Sequence, residues 1–127
     1  MRGQSDANPV EPCVFCEIVA RRAPARIVES GNDHVAFAPL GEIAPSHVLF
    51  VSRKHLVDAT DSPVGTGAVF AAAAAYVRRL GIEANLIAYV GGASQSVRHL
   101  HVHVVPRSGT DTLPAAWPWV GLARRVH

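Results

Sequence analysis

Residues 99–104 read His-Leu-His-Val-His-Val, and so strict an alternation leaves the backbone few options. Side chains on a β-strand point alternately to its two faces. His99, His101 and His103 therefore project from one face, and Leu100, Val102 and Val104 project from the other, into a core. Each imidazole needs hydrogen-bond partners, and crowding penalises the protonated forms. A lone histidine here would read as an incidental polar residue of a half-exposed strand; three in alternation point to a site.

The remaining pattern supplies partners for this strand. The chain's 127 residues, 49% of them hydrophobic, suit one domain with a buried core. Met1 to Pro12 lacks a hydrophobic period and reads as a loose tail, leaving 13–127 as a single domain. Cys16 to Arg22 forms a short helix stopped by Pro24. Arg26–Ser30 and His34–Ala38 read as strands joined by the turn Gly31-Asn32-Asp33, with His34 on an edge. After the loop Pro39–Ser46, His47–Arg53 is a strongly apolar strand. Asp61 or Ser62 caps a long helix, Pro63 suits its first turn and Gly81 its end. Gly65 and Gly67 weaken its opening, which places the stable part nearer Ala68. Ala84–Val90 and Arg98–Val105 complete the strands, linked by the loop Gly91–Val97. The class is α+β, an antiparallel sheet packed on one long helix.

Several function classes are disfavoured. A net charge of +2 does not argue for a nucleic-acid binder. The longest apolar run, Ala68 to Val77, is too short to span a membrane and is followed by Arg78 and Arg79. The N-terminus has no apolar signal segment, so a cytoplasmic location is expected, where Cys13 and Cys16 would stay reduced.

Two chemistries suit the histidines. One is a metal site, up to a metal-dependent hydrolase using all three. The other is covalent catalysis by a neutral imidazole attacking phosphorus. The preceding loop favours the second. Gly91, Gly92, Ala93, Ser94, Gln95 and Ser96 are small or polar, so main-chain amides and side-chain donors can cradle an anion there.

The stretch from Gln95 through His99-Leu100-His101-Val102-His103 to Pro106-Arg107 resembles the signature of the histidine-triad (HIT) family of nucleotide hydrolases and transferases. Cys13-Val14-Phe15-Cys16-Glu17-Ile18 is similar to the opening of its zinc-containing bacterial members. Pro45-Ser46-His47 and Arg53-Lys54-His55 also match, so the likeness runs from Cys13 to Arg107. The resemblance implies a HIT-like α+β fold: a five-stranded antiparallel sheet, one long helix and a short N-terminal helix. It implies that His101 attacks the α-phosphorus of a nucleoside phosphoramidate or phosphoanhydride and forms a covalent nucleotidyl-histidine. Gln95, Ser96 and His103 would hold the phosphate, and Val14, Phe15, Ile18, Phe37 and Leu40 would line an apolar slot for the base. Cys13, Cys16, His55 and His99 would hold a structural zinc, and the protein would be a homodimer binding a nucleoside monophosphate-type ligand.

The match breaks at the sugar. Pro39 stands where similar proteins carry an acidic residue that binds the ribose hydroxyls, and Ala88 stands where they carry an asparagine. Ser94 replaces a frequent glycine. A nucleotide-binding or sensing module with little turnover is therefore the competing reading. His34 and His127 are expected to be exposed and without a role, and His47 to be a packing residue. Trp117 and Trp119 either cover a partner subunit or pack the C-terminal tail.

Overall fold

The computed structural model describes residues 12–41 and 45–109. Met1–Glu11 of the expected tail, Trp117, Trp119 and His127 lie outside the described residues. Among the described residues the elements run α1 (Val14–Val19), β1 (Ile27–Ser30), β2 (His34–Phe37), β3 (Val48–Ser52), α2 (Pro63–Leu80), β4 (Glu83–Ile87) and β5 (His101–Arg107). The strands make one antiparallel sheet in the order β1-β2-β3-β5-β4. This is the expected α+β architecture of five strands, one long helix and a short N-terminal one.

Alternation along the central strands divides the interior in two. Ala36, Val48, Phe50, Val102 and Val104 turn toward α2, where they pack with Val69 and Ala73. Val35, Phe37, Leu49 and Val51 turn the other way, toward Phe15 and Ile18 of α1. His101 lies opposite Val51 and His103 opposite Leu49, so these histidines share the α1 side.

Several boundaries differ from the sequence expectation. Helix α1 begins at Val14 rather than Cys16, because the Cys13 side chain caps it by accepting the Cys16 amide at 3.4 Å. It ends earlier than Arg22, because Arg21 turns left-handed at φ 64° and the Arg22 amide reaches back to the Glu17 carbonyl at 2.8 Å. Helix α2 starts at Pro63, not near Ala68. The Ser62 hydroxyl accepts the Gly65 amide at 3.0 Å, and the Thr66 hydroxyl donates to the Ala59 carbonyl at 2.9 Å. Gly65 also has a packing role: a Cβ there would sit 2.8 Å from Leu56 Cδ1. Gly81 closes the helix in the left-handed conformation.

Strand β5 begins at His101 rather than Arg98. Beyond the ladder the Leu100 amide turns to the Leu56 carbonyl at 2.6 Å, and the His99 amide to the Val97 carbonyl at 2.9 Å. His34 is not on an edge, because β2 is flanked by β1 and β3. Nor is it exposed: its ring stacks on Phe50 and its Nε2 lies 2.8 Å from Glu29 Oε2. No described helix is long and apolar enough to cross a membrane.

Candidate functional site

All three triad histidines are buried, with His99 at 0%, His101 at 4% and His103 at 3% exposure, so a wet, incidental row of histidines does not describe them. Buried imidazoles require partners. His99 donates Nε2–H to the Ser52 carbonyl at 2.7 Å, because the alternative tautomer would set a lone pair against a carbonyl oxygen. By the same logic His101 donates Nδ1–H to the carbonyl of His99 at 2.8 Å. Its Nε2 then carries the lone pair. Sequence could not name this tautomer-setting partner, since it is a main-chain atom placed by the bend at residues 99–100.

Burial depresses the basicity of both rings. It pulls His99 down to about 4, helped by the neighbouring His55 and His101 and opposed by the Ser52 carbonyl. It also lowers His101, partly offset by the bond to the His99 carbonyl. His101 is thus neutral near pH 7, the state a nucleophilic imidazole needs.

His103 sits beside His101, with ring centroids 5.0 Å apart. Its Nδ1 lies 3.1 Å from Nε2 of His47, which is fully buried. His47 is more than a packing residue: it touches the triad directly. The proximity arises because His47 leads into β3, next to β5 in the sheet. The signal available in sequence was the polar residue heading an otherwise apolar strand.

Phe15 joins the triad to a cavity. Its ring meets His101 edge-on at 5.1 Å, His99 at 5.8 Å and Phe37 at 5.5 Å. The cavity, of about 480 Å³, is lined by Val14, Phe15, Ile18, Phe37 and Leu40, the five residues expected to form the base slot, and by Pro39. Phe15, Ile18 and Phe37 are buried, whereas Val14 is half exposed and Leu40 lies fully exposed at the rim. Arg26 is the one charged side chain among the described lining residues.

The expected phosphate residues are placed differently from one another. Ser96 is exposed and lines a second cavity shared with Cys13, His55 and Arg98. Gln95 is buried, and its carboxamide bonds to the protein itself: Oε1 accepts from the Gly91 amide at 3.2 Å and Arg98 Nη1 at 2.9 Å, and Nε2 donates to the carbonyls of Val57 at 2.9 Å and Val97 at 3.4 Å.

Cys13, Cys16, His55 and His99 converge, with their ligand atoms all within 4.8 Å of one another. Cys13 Sγ lies 3.3 Å and Cys16 Sγ 3.5 Å from His99 Nδ1, and Cys16 Sγ lies 3.1 Å from His55 Nδ1. A tetrahedral zinc with ordinary Zn–S and Zn–N bonds sets sulfur and nitrogen about 3.5 Å apart. The donor set fits. It is a closed Cys2His2 set, and the Ser52 carbonyl orients His99 from behind with Nδ1 toward the thiols. Burial and the neighbouring Cys13 push the Cys16 thiol up to about 12. A bound dication would reverse that shift by stabilising the thiolate.

The HIT domain family profile matches residues 20–110. The chain belongs to the HIT family. It is 37% identical over 115 residues to an uncharacterized HIT-like protein of Mycobacterium tuberculosis, covering 83% of this chain and 78% of that one. Among solved structures, a zinc-bound histidine triad family protein from Mycobacterium smegmatis superposes with TM-score 0.70 at 32% identity, covering 90% of this chain and 88% of that one. A HIT family hydrolase from Clostridium thermocellum gives TM-score 0.71 at 27% identity, covering 83% and 98%. This HIT chain therefore pairs the family's fold with a four-residue cluster suited to zinc.

Proposed function

We propose that this HIT protein is a nucleotide hydrolase or transferase that works through a covalent nucleotidyl-histidine on His101. The observation that carries the reading is the His101 ring: buried, neutral, bonded through Nδ1 to the His99 carbonyl, and set against the same Phe15 that lines the apolar cavity.

In this scheme Nε2 of His101 attacks the α-phosphorus of a nucleoside phosphoramidate or phosphoanhydride. The bond from phosphorus to the leaving nitrogen or oxygen breaks, and the leaving group departs with a proton drawn from solvent, which the attacking water of the next step returns. Water then cleaves the P–N bond and frees the nucleoside monophosphate. His103, Ser96 and the main-chain amides of the 91–98 loop stabilise charge developing on the phosphoryl oxygens. Val14, Phe15, Ile18, Phe37 and Leu40 hold the base. Zinc bound by Cys13, Cys16, His55 and His99 supplies a structural tie between α1 and the segment leading into β5.

Pro39 lines the cavity in place of a hydrogen-bonding side chain, so ribose is weakly read. AMP and dAMP are expected to compete within about tenfold of each other, and a strong preference for AMP would contradict this. The same observation favours the second reading, a nucleotide-binding module with little turnover. Incubation with an adenosine phosphoramidate followed by mass spectrometry separates the two. The enzyme reading expects an adenylyl mass on the peptide bearing His101, lost in His101→Ala while AMP binding persists; the binding-module reading expects AMP binding with no adduct and no turnover in the parent. The proposal includes a homodimer through α2, whose Ala71, Ala74 and Ala75 are exposed and small enough for close helix approach. Light scattering at the monomer mass would remove that part.

A further inference from the structure

The Gln95 carboxamide can make four hydrogen bonds, two donated and two accepted. It makes all four within the protein. Its orientation is unambiguous, because Nε2 faces the carbonyls of Val57 and Val97 while Oε1 faces the Gly91 amide and the Arg98 guanidinium. A phosphate oxygen could take a donor from this side chain only by breaking one of these bonds.

The bonds also share a geometric purpose. Gln95 grips Gly91 twice: its own amide donates to the Gly91 carbonyl at 2.9 Å, and its Oε1 accepts the Gly91 amide. That closes the loop on itself, at a glycine whose φ is 104°. The Nε2 bond to the Val57 carbonyl then fastens the closed loop to a segment 38 residues away.

That segment is itself held by local hydrogen bonds. The Val57 amide donates to Asp61 Oδ2 at 2.9 Å, and Asp58 Oδ1 accepts both the amide and the hydroxyl of Thr60. Arg98, bonded to Oε1 of Gln95, reaches the same segment at Asp58, 3.6 Å away. A buried strut and a half-exposed one thus run side by side between residues 91–98 and 57–61.

We propose that Gln95 is a positioning residue. It holds the 91–98 loop in the shape that presents main-chain amides and Ser96 to a phosphate, and its own amide does not contact that phosphate. The inference rests on the nucleotide reading of the site and changes the phosphate-holding role that the family resemblance implied for Gln95.

The test uses the full zinc-loaded chain and three measurements: amide hydrogen exchange without nucleotide, AMP affinity and adenosine affinity. Gln95→Ala is expected to speed exchange about tenfold in both 91–98 and 57–61, since each buried bond is worth roughly that factor. AMP affinity should fall by about tenfold and adenosine affinity should hold. Unchanged exchange with weakened AMP binding would make Gln95 a phosphate ligand and overturn the proposal. Equal loss of AMP and adenosine affinity would make its role merely structural and overturn it too. Gln95→Glu keeps the size and both Oε1 bonds but sets an acceptor against two carbonyls, so it should match Gln95→Ala in exchange. If neither variant folds, Arg98→Met removes the outer strut and should speed exchange in both segments about threefold; a rise confined to 91–98 would refute the cross-brace. A parent chain that binds no AMP would overturn the nucleotide reading, and the exchange comparison would still decide the brace.

Discussion

On the α2 side of the sheet, Phe50, Leu100, Val102 and Val104 meet Val69 and Ala73 in an apolar cluster. On the α1 side, the same strands bring Leu49 and Val51 beside His101, His103 and the Cys13–Cys16 pair. Successive residues of one strand thus enter interiors that cohere differently. The α2 side needs only shape and area, because apolar burial is non-directional. The α1 side buries polar groups, which cost stability unless every one is partnered. Its carbonyls and imidazoles therefore form a directed chain from Ser52 to His99 to His101. Substitutions on the α1 side should therefore affect chemistry, and those on the α2 side only stability.

The largest expected effect is on the proposed nucleophile. His101→Ala should lower turnover on the order of 10⁴-fold, about 5 kcal/mol of barrier, with a much smaller change in melting temperature. A variant that keeps substantial turnover would move the chemistry off this ring.

Metal removal comes next and acts on the α1 side alone. Chelation, or Cys16→Ser, should cost about 4 kcal/mol of apparent stability if zinc is held at a thousandfold over its dissociation constant. AMP affinity should fall with it, because α1 carries Val14, Phe15 and Ile18 of the cavity. A thermal melt and an AMP titration with and without chelator check both points. Unchanged AMP affinity would uncouple the metal from the cavity.

Leu100→Ala is the converse experiment. Leu100 lies between His99 and His101 in sequence yet packs in the α2-side cluster. Denaturant unfolding should show a loss of about 3 kcal/mol, while AMP affinity stays within about threefold. A large affinity loss would show that the two faces communicate.

Acid should weaken the α1 side specifically. His99 is held at about 4 in the folded chain against 6.5 ordinarily, so the unfolded chain binds more protons between those values. This ring's contribution to the stability of the chelated protein is therefore fully present above pH 6.5 and should fall by on the order of 3 kcal/mol as pH drops toward 4. Denaturant midpoints across that range test the sign. The smallest effect is at the start of α2, where Ser62→Ala should cost about 1 kcal/mol by removing the cap, with activity unchanged.

Periodicity and turn chemistry made much of this legible beforehand. Alternation from His101 to Val104 identified a strand with two working faces, His99 and Leu100 keep to the same two sides from outside the ladder, and Pro63 and Gly81 bracketed the long helix. The misjudged places share a cause: local signals were outweighed by contacts distant in sequence. Gly65 reads as a helix weakener, yet Leu56 occupies the space a side chain would need. His34 reads as an edge residue, yet β1 covers its strand. The Cys13 thiol extends α1 by capping it, a role cysteine rarely announces.

For this chain, residue order alone set the common face of His101 and His103, the apolar composition of both clusters and the Cys-x-x-Cys spacing of two ligands, because these depend only on the two-residue period of a strand and on side-chain identity. The tertiary structure decided which atoms meet. His55 and His99 join the cysteines, His47 joins His103, and the His99 carbonyl sets the tautomer of His101 only because the antiparallel register and the bend before β5 bring them within bonding distance. Hydrogen bonds and metal bonds are short and directional, so three-dimensional register decides them where hydrophobic pattern cannot.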